Sequence, residues 1–234
     1  MKGRTVIFII AFIILCDQAL KLYIKTHYQL NEAHNVGGSW FQLIFSENPG
    51  MAYGLKLFPD EKGKLILSLF RLVAVIFGVW YLRSIIRKKY HKGFIVCAAL
   101  IYAGALGNLI DSTFYGVFFD KGMLFDKTFQ EYMNYSGVAK YTSGHGYNSL
   151  FYGNVVDMLN FTLIDTTLPH WVPIWGDKEF RFFEPVFNLA DASISIGVIS
   201  LLLFQKKFFR QHNHSENHPT VDENPVSNEE PQVS

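Results

Sequence analysis

Only two cysteines, Cys16 and Cys97, occur in 234 residues. Both fall inside long apolar runs, so a structural disulfide is not expected and each reads as a small buried hydrophobe. Charge of one sign is lacking too: 21 Lys and Arg against 20 Asp and Glu leave a net charge of +1. Without a concentrated basic patch, nucleic acid is not an expected partner. The chain holds no His-Glu-x-x-His sequence, no zinc-spaced cysteine pair and no glycine-rich phosphate loop, so metal, nucleotide and other cofactor chemistry has no support. A Ser or Cys nucleophile would need a histidine base at its own depth. The eight histidines lie in connections, a basic turn and the tail, with His145 and His170 the only candidates and no partner evident for either. The first apolar run also lacks a small-residue cleavage site, since Ile14 and Leu15 precede Cys16; it is expected to be a retained helix rather than a signal peptide.

What the chain has in abundance is apolar length. Half of it is hydrophobic and 16% aromatic, and residues 5–24, 65–86, 94–113 and 185–209 are each long enough to cross a bilayer, which takes about 20 residues of helix. Basic residues cluster at Lys2 and Arg4, at Arg83 through Lys92, and at Lys206, Lys207 and Arg210. The positive-inside rule then places both termini in the cytoplasm and the connections 26–64 and 114–184 outside. Residues 1–210 are expected to form one four-helix membrane domain. The His-, Glu-, Ser- and Pro-rich residues 211–234 are expected to form a disordered cytoplasmic tail.

Several polar residues interrupt these runs. A charge at the bilayer centre costs at least about 2.5–3.5 kcal/mol, so intramembrane acids mark pathways or active sites. Asp191 stands out within the apolar run 183–198, with Asn188 three residues earlier and therefore expected on the same helical face. The same spacing recurs at Asn108 and Asp111 after the small residues Gly104, Ala105 and Gly107, which permit close helix packing. It recurs again at Asn154 and Asp157, where a helix-terminal or turn aspartate competes with a functional one. Asp17 and Lys21, one helical turn apart, read as a structural ion pair or a substrate contact. Arg71 reads as an interfacial anchor or as the partner of an acid from another helix. In the first connection, residues 41–46 resemble a strand and predict a small extracytoplasmic sheet. Asn48, before Pro49 and Gly50, reads as a turn former or a ligand.

Carboxylates therefore remain as the chemical option. If Asp157 and Asp191 face each other, repulsion and desolvation make the pair share one proton. One member can then accept a proton from water while the protonated one polarises a carbonyl, the division of labour that peptide hydrolysis needs.

Five motifs in order, Asp17-Gln18-x-x-Lys21, Asn48-Pro49-Gly50-Met51-Ala52-Tyr53-Gly54, Gly107-Asn108-x-x-Asp111, Val155-Val156-Asp157-Met158 and Phe187-Asn188-x-Ala190-Asp191, resemble those of the lipoprotein signal peptidases, or signal peptidase II. The resemblance implies a four-helix α-helical membrane enzyme of the cytoplasmic (inner) membrane. It would carry a small extracytoplasmic β-cradle and a periplasmic helical or loop insertion, with its site near the outer surface. It implies cleavage of prolipoproteins before a diacylglyceryl-modified Cys, without a metal or other cofactor, by a protein contacting membrane lipids and acting as a monomer. Asp157 and Asp191 match the family's catalytic aspartates. Asp17, Lys21, Asn48, Gly50, Asn108, Asp111, Asn188 and Ala190 match supporting or substrate-binding positions.

Two departures follow. Many members carry Arg directly after the helix-three Asp, where this chain has Ser112, and Arg71 is expected to supply the missing charge. Many also place the first catalytic Asp nine positions after Asp111, which here is Asp120. The flanks of Asp157 match and those of Asp120 suit a turn, so residues 120–152 read as an insertion, either an outer lid or a segment lying on the headgroups. The rival classes are a small proton-coupled carrier and a noncatalytic scaffold. Acids gathered near one surface and four spans without an inverted repeat argue against the carrier, and a scaffold leaves the acids without a use.

Overall fold

The computed structural model describes residues 1–38, 40–50, 61–162, 164–167, 170, 179–182 and 185–216. Met51, Ala52, Tyr53 and Gly54 of the second motif lie outside them, as do Phe183, Glu184 and residues 217–234.

Four helices form the body: α1 (Gly3–His27), α2 (Glu61–Arg87), α3 (Lys92–Phe118) and α4 (Leu189–Glu216). Each is long and apolar enough to span a membrane, α4 through its Leu189–Phe208 portion. Their outward faces carry Phe8, Phe12, Leu15, Phe70, Phe77, Trp80 and Leu203, all exposed, as lipid-facing helices require. α3 is the hub: half of its most apolar window is buried, against 17% in each of the others. Small residues make this possible. A Cβ at Gly104 would stand 2.2 Å from the Ala190 carbonyl oxygen, and one at Gly107 2.9 Å from Asp17 Oδ2, so α4 closes onto α3 backbone to backbone while α1 seats the Asp17 carboxylate against Gly107.

Near one end of the bundle an antiparallel sheet is ordered β1-β2-β5-β8, from Ala33–Asn35, Phe41–Asn48, Val155–Phe161 and Val186–Phe187. Its register sets Ser46 opposite Asp157 and Asn48 opposite Val155, with a bulge between Leu43 and Ser46. β5 is buried almost throughout, because one side of it meets the bundle and the other a satellite core of Ile24, Phe45, Tyr115, Phe119, Val156 and Met158. A strand covered on both faces shows no polar alternation, which is why 155–161 does not read as a strand in sequence.

Residues 120–152 leave the end of α3 and come back to it. Tyr147 N–H donates to Phe119 O and Asn148 N–H to Gly116 O, each at 2.8 Å, and Gly153 N–H to Ser112 O at 2.8 Å. Among the described residues the excursion holds the hairpin β3–β4 (Leu124–Asp126, Glu131–Met133) and no helix. A second hairpin pairs β6 (Ile164–Thr167) with β7 (Glu179–Phe182).

Two expected boundaries move. The fourth span begins at Leu189 rather than 185, because Val186 pairs with Asn160 and Phe187 with Leu159 in the sheet. α4 also continues through Glu216, past the expected end of the span at 209.

Candidate active site

The site begins with a cation shared between two acids. Lys21, fully buried on α1, pairs with Asp17 at 2.9 Å and with Asp111 at 2.8 Å. Its third proton goes to Asn108 Oδ1 at 3.0 Å. Asp111 also accepts from Gln18 Nε2 at 2.8 Å and from Val156 N–H at 3.3 Å, and Asp17 accepts from Ala190 N–H at 2.9 Å. The cluster ties α1, α3, β5 and α4 together, and its charged members are at most 1% exposed. Of the two readings open for Asp17 and Lys21, the geometry is that of the structural ion pair. Ala190, itself fully buried, offers its N–H to this cluster and its methyl to the space left by Gly107.

Asn188 and Asp191 do not share a helical face as their spacing suggests. Asp191 N–H donates to Asn188 Oδ1 at 2.8 Å, and Asn188 N–H lies 3.4 Å from Asp191 Oδ2. This reciprocal pair is a capping box at the start of α4. Asp191 is therefore in the first helical turn, where free N–H groups and the helix dipole favour an acid, rather than in mid-membrane. Asn108 Nδ2 reaches its other oxygen at 2.8 Å.

Asp157 arrives from β5. Asn188 Nδ2 donates to its Oδ1 at 2.7 Å and to Asn108 Oδ1 at 3.1 Å. One carboxamide thus links Asp157, Asn108 and the backbone of Asp191. Burial, and then the charge of Asp191, push the Asp157 carboxyl up to about 8. It is protonated at neutral pH.

Arg71 reaches inward from α2. Its Nη1 donates to Ser112 Oγ at 2.8 Å, the Ser112 hydroxyl donates to Asn108 O at 2.9 Å, and the guanidinium lies within electrostatic range of Asp191, Asp111 and Asp157. Asn48 follows the register of Ser46 and lies on the same face of the sheet as Asp157. Its Oδ1 also accepts from Gly50 N–H at 2.9 Å, closing a turn in which Gly50 takes φ +111°. Asp120 stands apart: exposed, it accepts from Lys140 N–H at 2.6 Å and closes the base of the insertion.

Sequence reading missed a second polar cluster on the opposite face of the β2–β5 pair. Glu47 accepts from Lys25 at 2.5 Å, Tyr135 Oη at 2.8 Å, Met123 N–H at 2.8 Å and Asn154 Nδ2 at 2.6 Å, and Lys64 donates to Asn154 Oδ1. Four rings, of Phe45, Phe119, Tyr135 and Tyr147, surround the Lys25 ammonium at 5.0–5.8 Å. Burial and the Glu47 charge hold both tyrosines far above the usual phenol range, so both stay neutral, Tyr135 donating to Glu47 and Tyr147 accepting from Asn154 N–H at 2.7 Å. The available signal was alternation in β2, which puts Glu47 on the same face as Phe45. Asn154 belongs to this cluster and not beside Asp157, since residues three apart on a strand face opposite ways. Among the described residues no three His, Cys, Asp or Glu side chains are grouped to hold a metal ion.

Comparison with known proteins places this geometry in context. The family described as Signal peptidase (SPase) II matches residues 9–207. A lipoprotein signal peptidase of Porphyromonas gingivalis is 44% identical over 204 residues, covering 86% of this chain and 83% of that protein. One from Amoebophilus asiaticus is 31% identical over 201 residues, covering 85% and 76%. A solved bacterial membrane enzyme superposes with a TM-score of 0.54 at 22% identity, over 93% of this chain and 96% of that one, a likeness of fold.

Proposed function

Because the chain belongs to the signal peptidase II family, we propose that it is an intramembrane aspartyl endopeptidase. It cuts diacylglyceryl-modified prolipoproteins before the lipidated Cys. The observation that carries this reading is the Asn188 carboxamide, which bonds Asp157 Oδ1 through its nitrogen and the Asp191 N–H through its oxygen. The two acids are held in one frame by an amide rather than by a lysine.

In the proposed reaction the Asp191 carboxylate takes a proton from a water molecule as its oxygen attacks the scissile carbonyl. Asp157, carrying the proton that its raised pKa retains at neutral pH, donates to the carbonyl oxygen. The tetrahedral species then collapses. The proton on Asp191 passes to the departing nitrogen of the Cys, the C–N bond breaks, and Asp157 recovers its proton from the hydroxyl left on the new carboxyl group. The positive-inside arrangement puts both termini in the cytoplasm and the site near the outer surface of the inner membrane, where a lipid-modified substrate and water can both reach it. The protein works there as a monomer among membrane lipids.

Asp17, Lys21, Asn108, Asp111, Asn188 and Ala190 support the pair. Asn48 and Gly50 shape the adjoining wall, and Arg71 replaces the arginine absent at Ser112 as the contact for lipid phosphate or substrate. Arg71→Gln should then raise KM for a lipidated substrate about tenfold, as loss of one charge-assisted hydrogen bond would, with kcat little changed; parent-like KM would remove Arg71 from the site. The reading as a whole is tested by sequencing the products from a lipidated prolipoprotein and from the same precursor without lipid. A new N-terminus at the lipidated Cys alone is the expected result. Cleavage elsewhere, or equal cleavage of the unlipidated chain, would overturn it.

A further inference from the structure

At the end of the bundle away from Asp157 and Asp191, the start of α1, the end of α2 and the start of α3 surround an open cleft of about 1160 Å³. Lys2, Arg87, Lys89 and Lys92 line it, all four exposed, with Ile86 and Tyr90 giving an apolar wall; among the described residues no Asp or Glu lines it. Neither α1 nor α3 has an acid in its first turn, so two helix N-termini, set against the one C-terminus of α2, add positive field to four full charges. α4 differs, its N-terminus being occupied by Asp191.

The turn that shapes the cleft is unusual. Tyr90 N–H donates to Ile85 O and Lys89 N–H to Ile86 O, both at 3.1 Å, which is the Schellman ending of a helix. Its left-handed position normally belongs to glycine, yet here Lys89 occupies it at φ 54°. A charged side chain is kept at a strained position and lines the cleft.

Because the helices bounding it span the bilayer, the cleft opens at headgroup level. Anionic headgroups are the abundant ligands there, and basic pockets between helices at a membrane boundary suit them. We infer that this cleft is a binding site for an anionic phospholipid, its phosphodiester held by Lys89, Lys92, Arg87 and Lys2 with acyl chains along the neighbouring helices.

The test is native mass spectrometry of the full chain with phosphatidylglycerol or phosphatidylcholine. It compares the parent with Lys89→Gly/Lys92→Gln and with Lys206→Gln/Lys207→Gln, a basic pair on α4 outside the cleft. One retained phosphatidylglycerol is expected. Its affinity should fall about thirtyfold in the first variant, as two interfacial charges would give, and by less than about twofold in the second, whose charges only add to the general surface field. Because glycine relieves the backbone at position 89, the first variant should melt no lower than the parent without lipid, which separates lost binding from lost folding. Equal weakening in both variants, equal retention of phosphatidylcholine, or displacement of the lipid by millimolar inorganic phosphate would overturn the proposal.

Discussion

The two faces of the β2–β5 strand pair both meet buried polar groups, and they are built on opposite principles. On the rear face Glu47 is bonded on each oxygen and paired with Lys25. Its neighbours Tyr135 and Met123 belong to the insertion, which is thereby fastened to the end of β2. On the front face the cation Lys21 is spent on Asp17 and Asp111, while Asp157 and Asp191 are held by the amides of Asn108 and Asn188. A lysine beside a carboxylate fixes its charge, whereas an amide orients it and leaves its proton open to exchange. Under the proposed function, this difference separates acids that hold the fold from acids that do the chemistry.

The largest effect that would sharpen this comparison is on the rear face. Glu47→Ala leaves Lys25 buried without its counter-ion and should cost about 3–5 kcal/mol of stability, read as a lower melting temperature in detergent. The fraction that stays folded should keep a near-parental KM. A stable variant with a displaced KM would mean that the rear face also reads substrate.

Asn188→Ala should do the reverse. Removing the carboxamide frees Asp157 from Asp191, and loss of such an orienting group typically costs about 10–100-fold in activity. The missing cap should cost only about 1 kcal/mol of stability. Paired kcat and melting measurements check this, and a variant that loses stability but keeps kcat would place Asn188 with the structural residues.

The third effect is a pH dependence of stability. The Asp157 carboxyl titrates near 8 in the folded protein and near about 4 when unfolded. Between those values the unfolded chain gives up a proton that the folded one keeps, so Asp157 contributes a loss of stability as pH rises from about 4 to about 8. Asp157→Asn lacks this contribution. Its melting temperature should gain steadily on the parent across that window and then level off; a constant difference would mean that the carboxyl is not shifted.

The helices and acids were legible because their signals are local. Apolar length gives the four spans, and Asp191, Asp157 and Lys21 are conspicuous against it. The three Asn-x-x-Asp repeats were not legible as structures, since one spacing serves three geometries. Asn108 and Asp111 share a helix, Asn154 and Asp157 point to opposite faces of a strand, and Asn188 and Asp191 form a capping box. Spacing reports geometry only once the element is known, and β5, buried on both faces, conceals its own type. Glu47 was hidden for another reason. Its partners Lys25, Tyr135 and Asn154 lie 22, 88 and 107 residues away, beyond any local pattern.

The central claim is that Asp157 and Asp191 together activate water while Asp120 does not. Its most direct test is cleavage of a diacylglyceryl-modified prolipoprotein by purified protein in detergent with a chelator present, comparing the parent with Asp157→Asn, Asp191→Asn and Asp120→Asn. The account predicts that the first two variants lose cleavage by at least about 10³-fold, as expected when a member of a catalytic unit is removed, while remaining folded, and that Asp120→Asn cleaves like the parent. Undiminished cleavage by Asp157→Asn or Asp191→Asn, or loss of cleavage in Asp120→Asn, would contradict it.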